Sequence, residues 1–386
     1  MGGAKTEWME AQERGWSAPS TYVCPRCVED RYLKQLIRDA VTANTCNYCG
    51  RGAATAIATE AGVVIKAVYG TVRAYYCEPS SGGVPYDGGY IIDSIGIRDV
   101  LENLGFDGHR KFVDAVIDAE VNDDHFVSAA DGYWAGSHAH QVLSSAWQQF
   151  CHTVKYETRF HFANLPPSQG VSTQDIEVSQ TLPEVTEQLR PLIRTLPAGM
   201  QIYRARVRRR QESWTPTDIE MGPPPPEMTS AGRMNPAGIP YLYTAFDQET
   251  ARREVGIKGR SRLTVFTATF ELKRPLTVVD LTQTPPIPSL FDVDNKDMRE
   301  QALFIHEFVE AVSTPVTKDG REHIEYVPTQ VVCEFLAQAF EPSPGIRLGG
   351  LVFPSSVHSP GKNLVIFPDD RHEREYQGVT FVHAGT

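Results

Sequence analysis

The chain has 386 residues, 41% of them hydrophobic, and a formal net charge of -11. This length suggests two or three domains, and the apolar content is enough to bury real cores. The acidic balance argues against a surface that coats nucleic acid, although it leaves room for a local basic pocket. No nucleic-acid partner is therefore expected.

The N-terminal segment MGGAKTEWMEAQERGW is polar and acidic, unlike a secretory signal. We expect residues 1–20 to be a loosely ordered lead-in. Farther along the chain, no apolar run approaches the roughly 20 residues that a membrane helix needs. These features predict a soluble cytoplasmic protein with no membrane contact.

Four of the seven cysteines form two Cys-x-x-Cys pairs with eighteen residues between them. Such a turn can offer two thiolates to one ion, and structural zinc takes four ligands at tetrahedral corners. The pattern predicts a closed, structural zinc site in a module over residues 21–52. Unrelated thiols or disulfides are the alternative, which a reducing cytoplasm disfavours. The predicted zinc ligands are Cys24, Cys27, Cys46 and Cys49.

The first half of the chain is predicted to be mainly helical. Between the cysteine pairs, Leu33, Leu36 and Ile37 recur at helical spacing. An accessory domain over residues 53–165 contains predicted helices at 99–104, 110–117 and 137–154. Proline, serine and glycine cluster from residue 164 onward, which favours a linker over residues 166–182.

Residues 183–386 mix helical and strand patterns, so the predicted fold class is α+β. Helices are expected over 183–195 and 331–340. Strands are expected over 201–207, 240–245, 265–270, 276–281, 351–353 and 364–367. The short span 231–255 also delivers Arg233 from a loop, Tyr243 from a strand and Glu254 from a helix. That combination is either ordinary surface chemistry or one wall of an anion-binding site.

The C-terminal half, roughly residues 185–375, resembles the RES domain family. The arginine, glutamate and serine for which the family is named match Arg204, Glu254 and Ser355 in this sequence. Supporting segments are 232–236, 241–243, 326–330 and 363–367. The resemblance implies an ADP-ribosyltransferase-like mixed-sheet domain that acts on NAD. The family's activities are cleavage of NAD by water or inorganic phosphate, and ADP-ribosylation of a protein.

Many members of this family are toxins of toxin–antitoxin pairs, so an antitoxin or other regulatory partner is expected. The N-terminal half looks like the HEPN-like accessory region of longer RES proteins. Ribonucleases of the HEPN class carry an arginine four to six residues before a histidine. The histidines of the helical region lack that arginine, so RNA cleavage is not expected. The extension is expected to control or target the enzyme, as a sensor or a homodimer surface.

The residue types suit NAD cleavage. Breaking the nicotinamide–ribose bond builds positive charge on the sugar, which a carboxylate such as Glu254 stabilises. Arg204 and Arg233 offer planar guanidinium donors to the pyrophosphate. Tyr243 and Tyr203 are candidates to line the NAD pocket.

The remaining site prediction is Ser355, whose hydroxyl could bind a phosphate or the nicotinamide amide; the adjacent Ser356 is the alternative. Simpler interpretations stay open for the other residues. Glu254 could pair with Arg253 or Lys258, and Arg204 could be an outward strand position that shares its face with Arg206. The two tyrosines could be half-buried strand aromatics.

The leading prediction is therefore an NAD-consuming toxin or defence effector with water or phosphate as acceptor. A protein ADP-ribosyltransferase would use the same residues. A binding module without catalytic activity is the third hypothesis.

Overall fold

The computed structural model describes residues 3–122, 125–166, 175–209, 214–256, 262–314, 316, 319–368 and 378–385. The chain divides into two compact units. Unit 1 comprises Met1–Ala139 with Ile287–Gln301, and unit 2 comprises His140–Pro286 with Ala302–Thr386. Helices dominate the N-terminal part and a large mixed sheet lies in the C-terminal part. The α+β class predicted from the sequence is confirmed.

The described residues form helices and strands as follows. The helices are α1 (Gly3–Arg14), α2 (Arg31–Asp39), α3 (Ala61–Tyr75), α4 (Ile97–Asn103), α5 (Arg110–Ile117), α6 (Ala139–Tyr156), α7 (Val178–Gln188), α8 (Asp218–Met221), α9 (Gln248–Glu254), α10 (Lys296–Ser313), α11 (Glu322–Glu325) and α12 (Val327–Gln338). The strands are β1 (Tyr22–Val23), β2 (Thr59–Glu60), β3 (Tyr76–Cys77), β4 (Val127–Ser128), β5 (Ile193–Leu196), β6 (Gln201–Arg209), β7 (Leu242–Ala245), β8 (Leu263–Leu272), β9 (Leu276–Asp280), β10 (Gly350–Pro354), β11 (Lys362–Ile366) and β12 (Val379–Gly385). None of the described helices combines the length and apolar character that a membrane span requires.

Unit 1 is built around α3, whose apolar side chains are buried on several sides. Helix α2, which the spacing of Leu33, Leu36 and Ile37 predicted, packs beside it, with Leu33 and Ile37 fully buried. The side chain of Asp30 caps α2 by accepting from the backbone N–H of Leu33 at 3.0 Å. The returning segment 287–301 adds Phe291, which meets Phe106 at 5.8 Å between ring centroids.

Unit 2 contains an eight-stranded sheet in the order β12-β8-β6-β7-β11-β10-β9-β5. Neighbouring strands are antiparallel except for β10 and β9, which are parallel. Side chains alternate between faces, so each face has its own core. Ile202, Leu364 and Ile366 lie in one core. Phe353 and Val365 lie in the other, together with side chains of α6, α7, α10 and α12.

Several expected elements differ from the structure. The helix predicted over 183–195 is wrong: α7 ends at Gln188 and Ile193–Leu196 is strand β5. After α7 the chain forms a short 3-10 helix, Arg190–Leu192. Pro191 contributes to the stop, because it lacks the backbone N–H that would continue the α-helical hydrogen bonds. Residues 3–14, expected to be loosely ordered, form α1.

Two long helices, α3 and α10, lie outside the predicted segments. Helix α3 is rich in β-branched residues and apolar on most sides, which hides a helical period. Helix α10 does carry a usable repeat at Ala302, Ile305, Phe308 and Val312, all buried.

The contacts group α6 with unit 2, whereas the sequence boundaries placed it in the accessory domain. Trp147 and Phe150 of α6 belong to the core that also contains Phe308, with 5.0 Å between the Trp147 and Phe308 centroids. The linker residues 167–174 lie outside the described residues. The sequence-based domain boundaries stay a prediction.

Phe291→Ala is expected to destabilise unit 1 by about 3–5 kcal/mol, because it leaves a cavity where a ring only 4% exposed had packed. Met298→Ala is the matched control, since Met298 is 61% exposed and its truncation should cost under about 0.5 kcal/mol. Calorimetric melting of both variants measures the difference. Equal melting temperatures would contradict the packing of segment 287–301 in unit 1.

Candidate active site and metal centre

The four paired cysteines meet in unit 1. The Sγ atoms lie 3.9 Å apart for Cys24 and Cys27, 3.6 Å for Cys24 and Cys49, and 3.6 Å for Cys27 and Cys46. All four lie within 4.8 Å of one another. Four sulfurs at about 2.3 Å from one tetrahedral ion would be about 3.8 Å apart, so the spacing fits zinc. A disulfide needs sulfurs about 2.05 Å apart, so these cysteines are free thiols.

The electrostatics of this cluster also suit a metal. Burial raises the pKa of the Cys24 thiol to about 11 and raises that of Cys27 as well. Burial acts on Cys46 too, but backbone N–H groups of Cys49, Tyr48 and Cys24 outweigh it and lower the pKa of Cys46 to about 7. Such thiols become thiolates together when a cation supplies the compensating charge. With four protein ligands, the site would be closed and structural.

The candidate active site in unit 2 centres on the carboxylate of Glu254, at the end of α9. Ser355 Oγ donates to Glu254 Oε1 at 2.7 Å, and Asn363 Nδ2 donates to the same oxygen at 2.6 Å. Asn363 is buried on β11, whereas Glu254 is exposed. Among the described residues, both of these bonds fall on Oε1, so the other carboxylate oxygen can accept from a ligand.

Ser355 lies in the loop that follows β10 and has its single proton committed to Glu254. Its oxygen accepts from the backbone N–H groups of Val357 at 3.3 Å and His358 at 3.1 Å. A hydroxyl has one proton and two acceptor positions, so these three bonds use its whole capacity. In this arrangement Ser355 orients the carboxylate. The neighbouring Ser356 is exposed.

The same loop is fastened to the start of α9. Thr250 Oγ1 donates to Asp247 Oδ2 at 2.6 Å and lies 2.8 Å from His358 Nδ1. Since a carboxylate can only accept, the hydroxyl proton goes to Asp247 and His358 Nδ1 must donate to Thr250. A Cβ on Gly361 would lie 2.3 Å from Thr250 Oγ1, so only glycine allows this approach. Helix α9 is thus bonded to one loop at both of its ends.

Arg233 is presented by a loop that Tyr243 organises. The Tyr243 hydroxyl accepts from the Met234 backbone N–H at 3.0 Å and donates to Asn235 Oδ1 at 2.9 Å. A Cβ on Gly232 would lie 2.5 Å from Asn235 Oδ1 and 2.9 Å from the Tyr243 oxygen. Burial raises the pKa of Tyr243, so its phenol stays neutral. Through its two hydrogen bonds the Tyr243 hydroxyl therefore acts as a brace, holding the Arg233 loop in place.

The Arg233 guanidinium donates through Nη2 to the carbonyl of Thr314. Burial lowers the pKa of Arg233, and the charges of Tyr326, Glu254 and Tyr243 oppose that effect. Arg233 therefore lies within electrostatic range of Glu254. A partly buried guanidinium is a suitable donor for an anionic group.

Tyr203 and Arg204 are neighbours on β6 and point to opposite faces of the sheet. Tyr203 pairs with Ala245, which pairs with Asn363, so Tyr203 shares the face of the Glu254 cluster. Arg204 lies on the other face with Arg206, and its Nη1 donates to the Tyr243 carbonyl at 3.4 Å. The bond to the Tyr243 carbonyl connects Arg204 to the brace that holds the Arg233 loop.

Sequence reasoning missed Asn363, His358 and Thr250 as parts of the site. Asn363 did give a signal, because it is an amide at the start of an otherwise apolar strand. The sequence left a pairing of Glu254 with Arg253 as an alternative. In the structure, Arg253 donates to Glu249 instead, at 2.7 Å. Lys258, the other alternative partner, lies outside the described residues.

The four-thiol cluster predicts that purified protein carries about one zinc per chain. Cys27→Ser should abolish that zinc and lower the melting temperature of unit 1, because a buried ligand is lost. Cys77→Ser is the control, since Cys77 is not in the cluster. Elemental analysis by mass spectrometry measures the metal. Metal-free wild-type protein that melts like a chelator-treated sample would refute the prediction.

Comparisons with known proteins agree with this layout. The family model of the RES domain matches residues 201–382, and that of the HEPN/RES N-terminal domain 1 matches residues 39–168. The crystal structure of the M. tuberculosis MbcT-MbcA toxin-antitoxin complex is similar over 52% of this chain and 90% of that chain. That similarity has 14% sequence identity and a TM-score of 0.29. No curated protein matches the chain.

The RES match covers β6 through β12, which includes the Glu254 cluster and the Arg233 loop. The second match covers α3 to α6 and part of the cysteine cluster. Both halves of the resemblance seen in the sequence are confirmed. The chain is therefore a long-form RES-domain protein with an N-terminal HEPN/RES domain.

Proposed function

We propose that unit 2 binds NAD and cleaves its nicotinamide–ribose bond, with water or inorganic phosphate as acceptor. The match to the RES domain family supports action on NAD, which the resemblance seen in the sequence implies. The observation that carries the proposal is the Glu254 carboxylate, which Ser355 and Asn363 hold by one oxygen. This arrangement gives a fixed negative charge with a free acceptor atom.

Glu254 would stabilise the positive charge that develops on the ribose as nicotinamide leaves. Its free oxygen can also accept from a ribose hydroxyl and fix the sugar. A carboxylate held by two donors needs little reorganisation when charge develops, which is the condition for effective electrostatic stabilisation. Ser355 and Asn363 act in this scheme by positioning Glu254.

The pyrophosphate of NAD would bind near Arg233. Arg204, expected from the sequence as a second guanidinium donor, lies on the other face of the sheet from Asn363 and would instead support the strand that carries Tyr243. Phosphate oxygens are good acceptors for guanidinium groups, which are less strongly hydrated than ammonium groups. Arg233 is partly buried and within range of Glu254, so the two would place the pyrophosphate and ribose side by side. Tyr243 supports this by bracing the Arg233 loop, and Tyr203 lies on the same face as Asn363.

The reaction would need no protein nucleophile. His358 Nδ1 is bonded to Thr250, and His306 Nε2 is 2.9 Å from the Pro285 carbonyl. The Ser355 proton goes to Glu254. A dissociative reaction suits this set, because the protein supplies positioning and charge while a bound water or phosphate attacks.

Depletion of NAD would arrest a cell, so we propose a role as a toxin or defence effector with an antitoxin or other regulatory partner. The four-thiol cluster would hold a structural zinc. A protein side chain as acceptor, giving ADP-ribosylation, would use the same residues. A binding module without catalysis would bind NAD but show no turnover.

Proton NMR of the zinc-loaded chain with NAD tests the activity. Wild type should release nicotinamide, and Glu254→Gln should lower the rate by about 100- to 1000-fold, because the charge is lost at unchanged shape. Runs with and without phosphate identify the acceptor from the co-product, ADP-ribose or its 1″-phosphate. No nicotinamide release in either buffer, while NAD still binds, would favour a binding module or a missing protein acceptor.

The adjacent serines provide a second test. Ser355→Ala should lower the rate of NAD cleavage by about 10- to 100-fold with little change in melting temperature, because Glu254 loses one of its two donors. Ser356→Ala should behave like wild type, since Ser356 is exposed beside it. The opposite order of the two rates would show that Ser356 is the site serine.

A further inference from the structure

A cavity of about 330 Å³ lies in unit 2 between α6 and α10. Trp147, Phe304 and Phe308 line it and are themselves almost fully buried. Trp147 and Phe308 meet edge to face at 5.0 Å between centroids. The volume and the aromatic lining are those of a pocket for a small organic molecule.

Of the lining residues, one is a carboxylate, Glu307, and two can carry positive charge, Lys155 and His152. Lys155 is already paired, with its Nζ 2.6 Å from Glu325 Oε2. Glu307 accepts a hydrogen bond from Ser144. Because the Ser144 hydroxyl is neutral, this bond does not balance the negative charge of the carboxylate. His152 Nδ1 lies 3.1 Å from Glu157 Oε1, so this lining residue also has a carboxylate partner.

We propose that this cavity binds a planar aromatic amine that is protonated at neutral pH. Its ring would pack on Trp147, Phe304 and Phe308, and its ammonium would bind the Glu307 carboxylate. Aromatic faces attract cations as well as rings, and a charge-assisted hydrogen bond fixes the orientation. Because Lys155 and His152 each face a carboxylate, the described lining offers the anionic NAD no unpaired cation, so this site is separate from the proposed catalytic one.

The cavity is connected to the Arg233 loop through the elements that line it. Helix α10 carries Phe308 and Glu307, and Thr314 just beyond its end accepts a hydrogen bond from Arg233. On the other side, Glu325 pairs with Lys155, and Thr329 one turn later donates to the Arg233 carbonyl at 2.6 Å. A bound amine that shifts either element would move Arg233. This consequence, unlike binding itself, rests on the proposed NAD cleavage.

Calorimetric titration of the full, zinc-loaded chain tests binding with three probes that share one ring system. Tryptamine, which is cationic, should bind more tightly than neutral indole, and indole-3-acetate should bind least. Glu307→Gln should weaken tryptamine binding by about two- to fivefold, the size of one exposed charge interaction, and leave indole binding unchanged. Glu310→Gln, on the same helix but not lining the cavity, should leave all three affinities unchanged.

Ala311→Trp provides a second variant, because Ala311 lines the cavity and is exposed, so the new ring can fill the opening. It should abolish binding of tryptamine and indole while the melting temperature stays within a few degrees of wild type. Equal affinities for the three probes, no binding of any, or full binding by Ala311→Trp would overturn the proposed site.

Nicotinamide release with and without saturating tryptamine tests the link to Arg233. A change in rate of at least twofold in wild type, absent in Ala311→Trp, supports it. Tryptamine binding with an unchanged rate supports the site and overturns the link. If wild type releases no nicotinamide at all, the proposed function fails, while the binding titrations still decide the cavity proposal.

Discussion

The two hydrogen bonds on Glu254 Oε1 are the contact on which the candidate site depends. They join the end of helix α9 to the loop after β10 and to the first part of β11. At the other end of α9, Thr250 bonds His358 of that same loop. The helix and the loop therefore fix each other, and the exposed carboxylate keeps one orientation although water surrounds it.

The sheet provides the rigid base for this arrangement. Strands β6, β7, β11 and β10 are neighbours in its middle. The first three each give a residue to the site or to its supports, and the loop after β10 gives Ser355. Asn363 can reach Glu254 because it lies on the same face as Tyr203 and Ala245, against which α9 packs. Sites on strands and their first loop residues are held more closely than sites on long loops, which suits a reaction that relies on positioning.

Charge is distributed unevenly within unit 2, although the whole chain carries -11. Arg233 is held, partly buried, within range of Glu254, and Arg204 bonds the strand that carries Tyr243. The cavity between α6 and α10 has the opposite preference, since its lysine is paired and its Glu307 is not balanced by a cation in its bond to Ser144. Under the two proposals these places would take ligands of opposite charge. Helix α10 lines the cavity with Phe308 and is followed directly by Thr314, whose carbonyl accepts from Arg233.

The sequence by itself determined the features that depend on local spacing. Two Cys-x-x-Cys turns, the apolar repeats of α2 and α6 and the alternation in β6 follow from neighbours along the chain. The motifs around Arg204, Glu254 and Ser355 were also readable. Only the tertiary structure decided how these parts meet: Glu254 lies 101 residues before Ser355 and 109 before Asn363. Their contact depends on strand register and on how α9 packs, and these follow from the whole core rather than from any local pattern.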